Sequence, residues 1–171
     1  MKTAFVVMLF AASALAQNQS APAVTACGPG NVSFKVKLDE TAHPLVQPEQ
    51  GKALVYFIHE AGTTNGYPLV AYPTLKLGMD GAWMGANHGD SYFSVAVEPG
   101  ERHLCATLQS SIVDDRVVFA HFQAEAGKVY YYRTRLVLSA AVALLQLETV
   151  DSDEGKYLVS SYPRSISQPK K

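Results

Sequence analysis

Thr74-Leu75-Lys76-Leu77-Gly78-Met79-Asp80-Gly81 is the stretch that decides the fold. Leu75, Leu77 and Met79 take one alternation and Thr74, Lys76 and Gly78 the other, which is the period of a strand with one face on a core. The Asp-Gly pair that follows suits a type I′ turn, whose two central residues both need positive φ, so the strand continues into a hairpin.

Working outward, the same grammar recurs. Downstream, Phe93, Val95 and Val97 alternate with Ser94 and Ala96, Pro99-Gly100 turns the chain, and Arg102 to Leu108 returns. Val117 to Phe122 and Val129 to Leu138 read as two more strands, joined across Glu125-Ala126-Gly127-Lys128. Within the second, Tyr130 and Tyr132 fall on one sheet face and Tyr131 on the other. Upstream, Val32, Phe34, Val36 and Leu38 alternate with polar residues and predict a strand over 32–38. Ala53-Leu54-Val55-Tyr56-Phe57-Ile58 is apolar on both alternations, as a central strand covered on both faces must be. Residues 139–150 suit a helix by composition and a buried strand by length, and a strand near 143–150 is preferred. Asp151-Ser152-Asp153-Glu154 carries the acidic first turn of a helix that runs through Tyr157 and Leu158 and stops at Pro163. Short strands punctuated by turns define an all-β chain, here an antiparallel β-sandwich with a short C-terminal helix.

The N-terminus sets the compartment. Lys2, an apolar run from Ala4 to Ala16 and the small residues Ala14 and Ala16 predict a signal peptide over 1–16, because the polar Gln17-Asn18-Gln19-Ser20 follows too soon for a membrane span. Residues 17–26 read as a flexible leader, 27–163 as the β-sandwich domain and 164–171 as a disordered polar tail. The two cysteines, Cys27 and Cys105, both lie in the exported part, where an oxidising compartment favours a disulfide between them. A lipid-bearing Cys27 is the weaker alternative, since no apolar stretch leads into it. With 14 basic against 15 acidic residues there is no electrostatic footprint for nucleic acid or an anionic membrane.

Motifs that carry chemistry are sparse. Gly89-Asp90-Ser91 has the form of an esterase nucleophile motif, but its serine enters a strand and no Asp-x-x-His pair accompanies it. No Gly-x-Ser-x-Gly elbow, phosphate loop or dinucleotide fingerprint is present. The five histidines, at 43, 59, 88, 103 and 121, are dispersed, and His59-Glu60 is the most ligand-like local pair.

Taken in order, Gly51-Lys52-Ala53-Leu54-Val55-Tyr56-Phe57-Ile58, Asp80-Gly81 with Gly85, Ser91-Tyr92-Phe93 and Pro99-Gly100-Glu101-Arg102-His103-Leu104 resemble the bacterial domain of unknown function 2846, over about residues 50–138. The resemblance implies a β-sandwich of the cell envelope, secreted or lipid-anchored, with no catalytic residues to carry over. This chain departs from lipid-anchored members in having no cysteine at its cleavage site.

These readings predict a secreted, periplasmic or cell-surface, non-enzymatic module that binds an envelope protein, glycan or peptide. No cofactor, catalytic residue, metal or nucleic acid is expected, nor a transmembrane segment in the mature chain. Loops carry such contacts, so binding is assigned to Tyr67 in the glycine-rich loop with Asn65 and Gly66, and to Trp83 and His88 at a hairpin tip with Asn87. Core filling is the competing role for Trp83. The rival function is a small secreted hydrolase or histidine-based metal-binding protein using His59, Glu60, His88 or His103.

Overall fold

The computed structural model describes residues 26–41, 45–61, 63–64, 67–68, 73–109, 117–138 and 143–170. Residues 1–16, read as a signal peptide, nearly all of the segment read as a leader, and Asn65 and Gly66 lie outside the described residues. In chain order the elements are β1 (Phe34–Asp39), β2 (Ala53–Glu60), β3 (Thr63–Thr64), β4 (Tyr67–Pro68), β5 (Thr74–Met79), β6 (Ala82–His88), β7 (Ser91–Val97), β8 (Gly100–Leu108), β9 (Val117–Ala124), β10 (Val129–Leu138), β11 (Ala143–Val150), α1 (Ser152–Ser161) and β12 (Arg164–Pro169).

Two main sheets form the sandwich. One has six strands in the order β1-β12-β7-β2-β10-β11, the other four in the order β6-β5-β8-β9, and β3 and β4 make a separate two-stranded ladder. The chain is all-β with one short helix near its C-terminus, as the alternations predict. Most pairings are antiparallel, but β2 runs parallel to β10 and β12 parallel to β7. The hairpin β5–β6 turns at Asp80 and Gly81 with φ of 50° and 86°, the doubly positive geometry that Asp-Gly favours.

Between the sheets, Val55, Phe57, Leu75, Leu77, Phe93, Leu104 and Tyr132 form the main core. On the other face of the six-stranded sheet, Leu54, Tyr56, Ile58, Tyr92 and Tyr131 pack with Leu158 and Val159 of α1. This explains β2: it is apolar on both alternations because one face meets a sheet and the other a helix. The tyrosine run divides as its period requires, with Tyr130 and Tyr132 toward the sheets' common core and Tyr131 under the helix. Burial pushes the Tyr132 phenol up to about 12. Asp151 caps α1, accepting from the backbone N–H of Glu154 (3.0 Å) and Asp153 (2.8 Å), and these bonds hold its carboxyl below the usual range.

Cys27 and Cys105 are joined, with Cα atoms 5.5 Å apart. The bond ties residues 26–33 as a strap across the outer face of the four-stranded sheet. The Trp83 indole donates to Pro29 O (2.8 Å), and Lys76 Nζ donates to Val32 O (3.0 Å) while standing 4.3 Å from the centre of the Trp83 ring. Gly28 admits the indole, because a Cβ there would sit 2.5 Å from Trp83 Cδ1.

Three boundaries move. Ala26, read as the end of a leader, is buried, and its carbonyl accepts from Gly81 N. The tail is corrected more heavily: residues 164–169 are not a disordered end but a strand, registered along six residues against β1 and touching β7 at Arg164↔Tyr92. The first strand accordingly spans Phe34–Asp39 in place of 32–38, with Phe34 opposite Pro169.

Candidate functional site

At one end of the sandwich the inward rows of several strands turn from apolar to polar. On β2 the row Val55, Phe57 continues to His59; on β10 Tyr132 continues to Thr134; on β7 the row that carries Phe93 begins with Ser91. The register brings these together, since His59 lies opposite both Ser91 and Thr134. Asn87 of β6 and Ser165 of β12 complete the group, and all five side chains are buried.

The hydrogen bonds fix the chemistry of the imidazole. Thr134 Oγ1 donates to Ile58 O at 3.1 Å, so its oxygen, like the Thr134 carbonyl, can only accept from His59 Nδ1, each at 3.1 Å. Nδ1 therefore carries the proton and Nε2 the lone pair. Burial pushes the His59 pKa down, against the raising influence of the Thr134 carbonyl and of the charges on Asp90 and Glu60, so the ring is neutral. Asn87 Nδ2 donates to Phe57 O at 3.1 Å, which leaves its Oδ1 as a buried acceptor. Among the described residues, His59 Nε2 and Asn87 Oδ1 have no hydrogen-bond partner. Leaving a buried acceptor unpaired costs about 1–3 kcal/mol.

Ser91 closes the base of this cluster. Its hydroxyl accepts from His88 N (3.2 Å) and Ser165 Oγ (2.9 Å) and donates to Gly89 O (3.3 Å), while Asp90 Oδ1 accepts from Ala61 N (2.7 Å). Gly89-Asp90-Ser91 is thus a turn whose polar atoms are held by the fold, and its serine is fully buried.

Glu60, next to His59, points to the opposite face of the sheet. There it accepts from Arg135 Nε (2.7 Å) and Tyr162 OH (3.2 Å) and pairs with Arg133 (3.2 Å). Arg133 also holds Glu148 (2.7 Å) and Glu154, the last in the first turn of α1. Burial disfavours its charge, but the hydrogen bonds to Glu148 and Glu154 and the charge of Glu60 outweigh that and hold its pKa up. The Tyr162 phenol is pushed up by burial and by Glu60 and Asp90. This network clamps the helix to the sheet.

The residues singled out from sequence fall in separate places. Tyr67 pairs with Thr64 in the β3–β4 ladder. Trp83, Asn87 and His88 are not at a hairpin tip, which is Asp80-Gly81, but lie within β6. Trp83 is occupied by the strap, Asn87 points inward, and His88 is half-buried at the strand end, with Nδ1 3.4 Å from Thr74 Oγ1. His59, Glu60, His88 and His103 do not share a pocket: His59 faces the core, Glu60 the helix side, and His103 the outer face of the four-stranded sheet. Among the described residues no three His, Cys, Asp or Glu side chains form a metal-ligating group. Thr134 and Ser165 were not legible as site residues. The one trace is that Thr134 interrupts the apolar row Tyr130, Tyr132, Leu136.

Among the described residues no helix is long and apolar enough to cross a membrane. No family model, curated protein or solved structure matches the chain.

Proposed function

We propose that this protein is an exported, non-enzymatic binding module of the bacterial cell envelope, which takes a hydrogen-bond-donating group of its partner at the polar end of the sandwich. The single observation that carries this reading is the pair of buried acceptors, His59 Nε2 and Asn87 Oδ1, without a partner among the described residues. Both are acceptors, so the matching group is a donor: a sugar hydroxyl or a peptide N–H. Tyr67 and His88 stand in elements at the same end, β4 and the close of β6, where loops of the partner-facing surface belong.

Export is supported by the basic, apolar and small-residue pattern of residues 1–16 and by the disulfide, which suits an oxidising compartment. The envelope address also draws on the motif order that resembles the bacterial domain of unknown function 2846. With near-balanced charge, recognition rests on hydrogen bonds and contact area, and binding is expected to vary little with salt.

The test is crosslinking in intact cells followed by binding of the identified glycan or peptide to purified protein. His59→Phe and Asn87→Leu keep the ring or the branching of the side chain without an acceptor, and both are expected to lose binding while circular dichroism and thermal melting report a folded chain. Normal binding by both folded variants would overturn the assignment of the site. Esterase or peptidase turnover by the purified protein would overturn the non-enzymatic reading.

A further inference from the structure

The outer face of the four-stranded sheet carries a second arrangement, remote from the polar end. We propose that His103 and His121 form a surface site for a divalent transition-metal ion of the zinc, nickel and copper class.

The two histidines are direct cross-strand partners on β8 and β9. The backbone shows which kind of pair they are. His103 N donates to Asp80 Oδ1 (2.9 Å) and His103 O accepts from Asp80 N (3.0 Å), so both polar groups of His103 point toward the β5 side. Toward β9 the pair is therefore the non-hydrogen-bonded type, in which opposing side chains stand closest. The rings lie 6.4 Å apart, centre to centre, and are inclined at 44°. Two imidazole nitrogens at about 2.0–2.1 Å from one tetrahedral ion put the ring centres roughly 5 Å apart, so closure needs about 1 Å of side-chain rotation on an open surface.

The surroundings suit a cation. His103 and His121 line a surface cleft of about 180 Å³ with Ala26, Leu104, Phe119 and Ala120. Glu101, two residues before His103 on the same strand face, has its carboxylate 4.0 Å from His103 Nε2. Its charge balances that of a bound cation, and waters complete the shell. The platform is stiff: Cys105 and Phe119 form the next cross-strand pair on this face, and Cys105 is locked to Cys27. Imidazole selects zinc, nickel and copper over magnesium and calcium, which prefer all-oxygen shells. With two anchored nitrogens the site is open and exchangeable, unlike the closed four-ligand sites that hold structural zinc.

The experiment is calorimetric titration of the tag-free, disulfide-bonded mature chain with Ni²⁺ and with Zn²⁺. The expected result is saturable binding at one ion per chain. His103→Ala and His121→Ala should each weaken it by at least roughly tenfold, as loss of a direct ligand must if outer-sphere partners already matter by that much. His43→Ala, His59→Phe and His88→Ala should leave it unchanged. Paramagnetic Ni²⁺ should broaden the amide resonances of His103 and His121 and of their neighbours Glu101, Phe119 and Ala120 before those of the polar end. A Kd above about 1 mM, or a loss that follows His43 or His88 in place of His103 and His121, would overturn the proposal. Both ligand variants sit at the surface and leave the polar end intact, so failure here is distinguishable from failure of the glycan or peptide site.

Discussion

Gly155→Ala should destabilise this protein, although alanine is the better helix former. Gly155 is buried in α1 and lies flat on Tyr131; a Cβ added there would meet the ring Cδ1 at 2.5 Å and the tyrosine Cβ at 2.8 Å. Carbon pairs rest at about 3.5–4.0 Å, so the overlap is about 1 Å. Tyr131 cannot swing away, because its ring is stacked on Tyr56 with centroids 5.2 Å apart and planes 10° from parallel. The helix must lift instead, which loosens Leu158 and Val159 in the same cluster and strains the Arg133–Glu154 pair one residue away. Overpacking costs about 1–3 kcal/mol, and replacing a mid-helix glycine returns about 1 kcal/mol of propensity. With the overlap against backbone-fixed atoms the upper part of that range applies, leaving a net loss of about 1–2 kcal/mol. At about 2–4 °C per kcal/mol for a domain of this size, melting followed by circular dichroism should fall by several degrees. Gly155→Leu should fall further. If Gly155→Ala melts at or above the parent temperature, α1 does not pack on Tyr131 as described.

Two further outcomes are expected. The double variant Cys27→Ser, Cys105→Ser opens a loop of 78 residues, which the chain-entropy model values at about 4–5 kcal/mol; denaturant melts should show a large fall in midpoint, and a midpoint equal to the parent's would refute the role of the strap. His59 is neutral when folded because burial lowers its pKa, whereas the unfolded chain takes up a proton near pH 6.5, so stability should decline as pH falls through and below about 6.5, by at most about 1.4 kcal/mol per unit from this group. Urea melts at pH 7.5, 6.5 and 5.5 should give a shallower decline for His59→Phe, and equal slopes in the two proteins would show that His59 is accessible to protons in the native state.

The strands were legible where burial is one-sided and apolar. Leu75, Leu77 and Met79 give β5, Asp80-Gly81 gives its turn, and the double apolar character of Ala53–Ile58 gives the central position of β2, though not the identity of its two coverings. Pairing partners were not legible. Nothing in the residues of β2 and β10 distinguishes a parallel from an antiparallel neighbour, because both strands are sandwiched and alternate poorly, and the choice is made by where β9 delivers the chain. The strap over Trp83 was invisible for a related reason: Gly28 matters for the atom it lacks, and that requirement exists only when the indole is in place.

The tail and the polar end failed to read for one shared cause. In β12 the inward positions are Ser165 and Ser167, and Ile166 is the exposed one at 44%. Ser165 donates to Ser91, and Ser167 accepts from Ala86 N beside Gly85. A period-two reading assigns polar residues to solvent, so it turns this strand inside out and predicts a disordered end. The same reading passes over His59, Asn87, Ser91 and Thr134, whose inward positions are recognisable only once neighbouring strands supply their hydrogen-bond partners. Burial of polar groups is tolerated where each finds a partner. Here every member of the cluster has one for at least part of its side chain, and among the described residues only His59 Nε2 and Asn87 Oδ1 are left over. A fold that satisfies a polar cluster almost completely and leaves two acceptors of the same sign has a local conflict that stability alone does not explain, and such conflicts gather at sites of function.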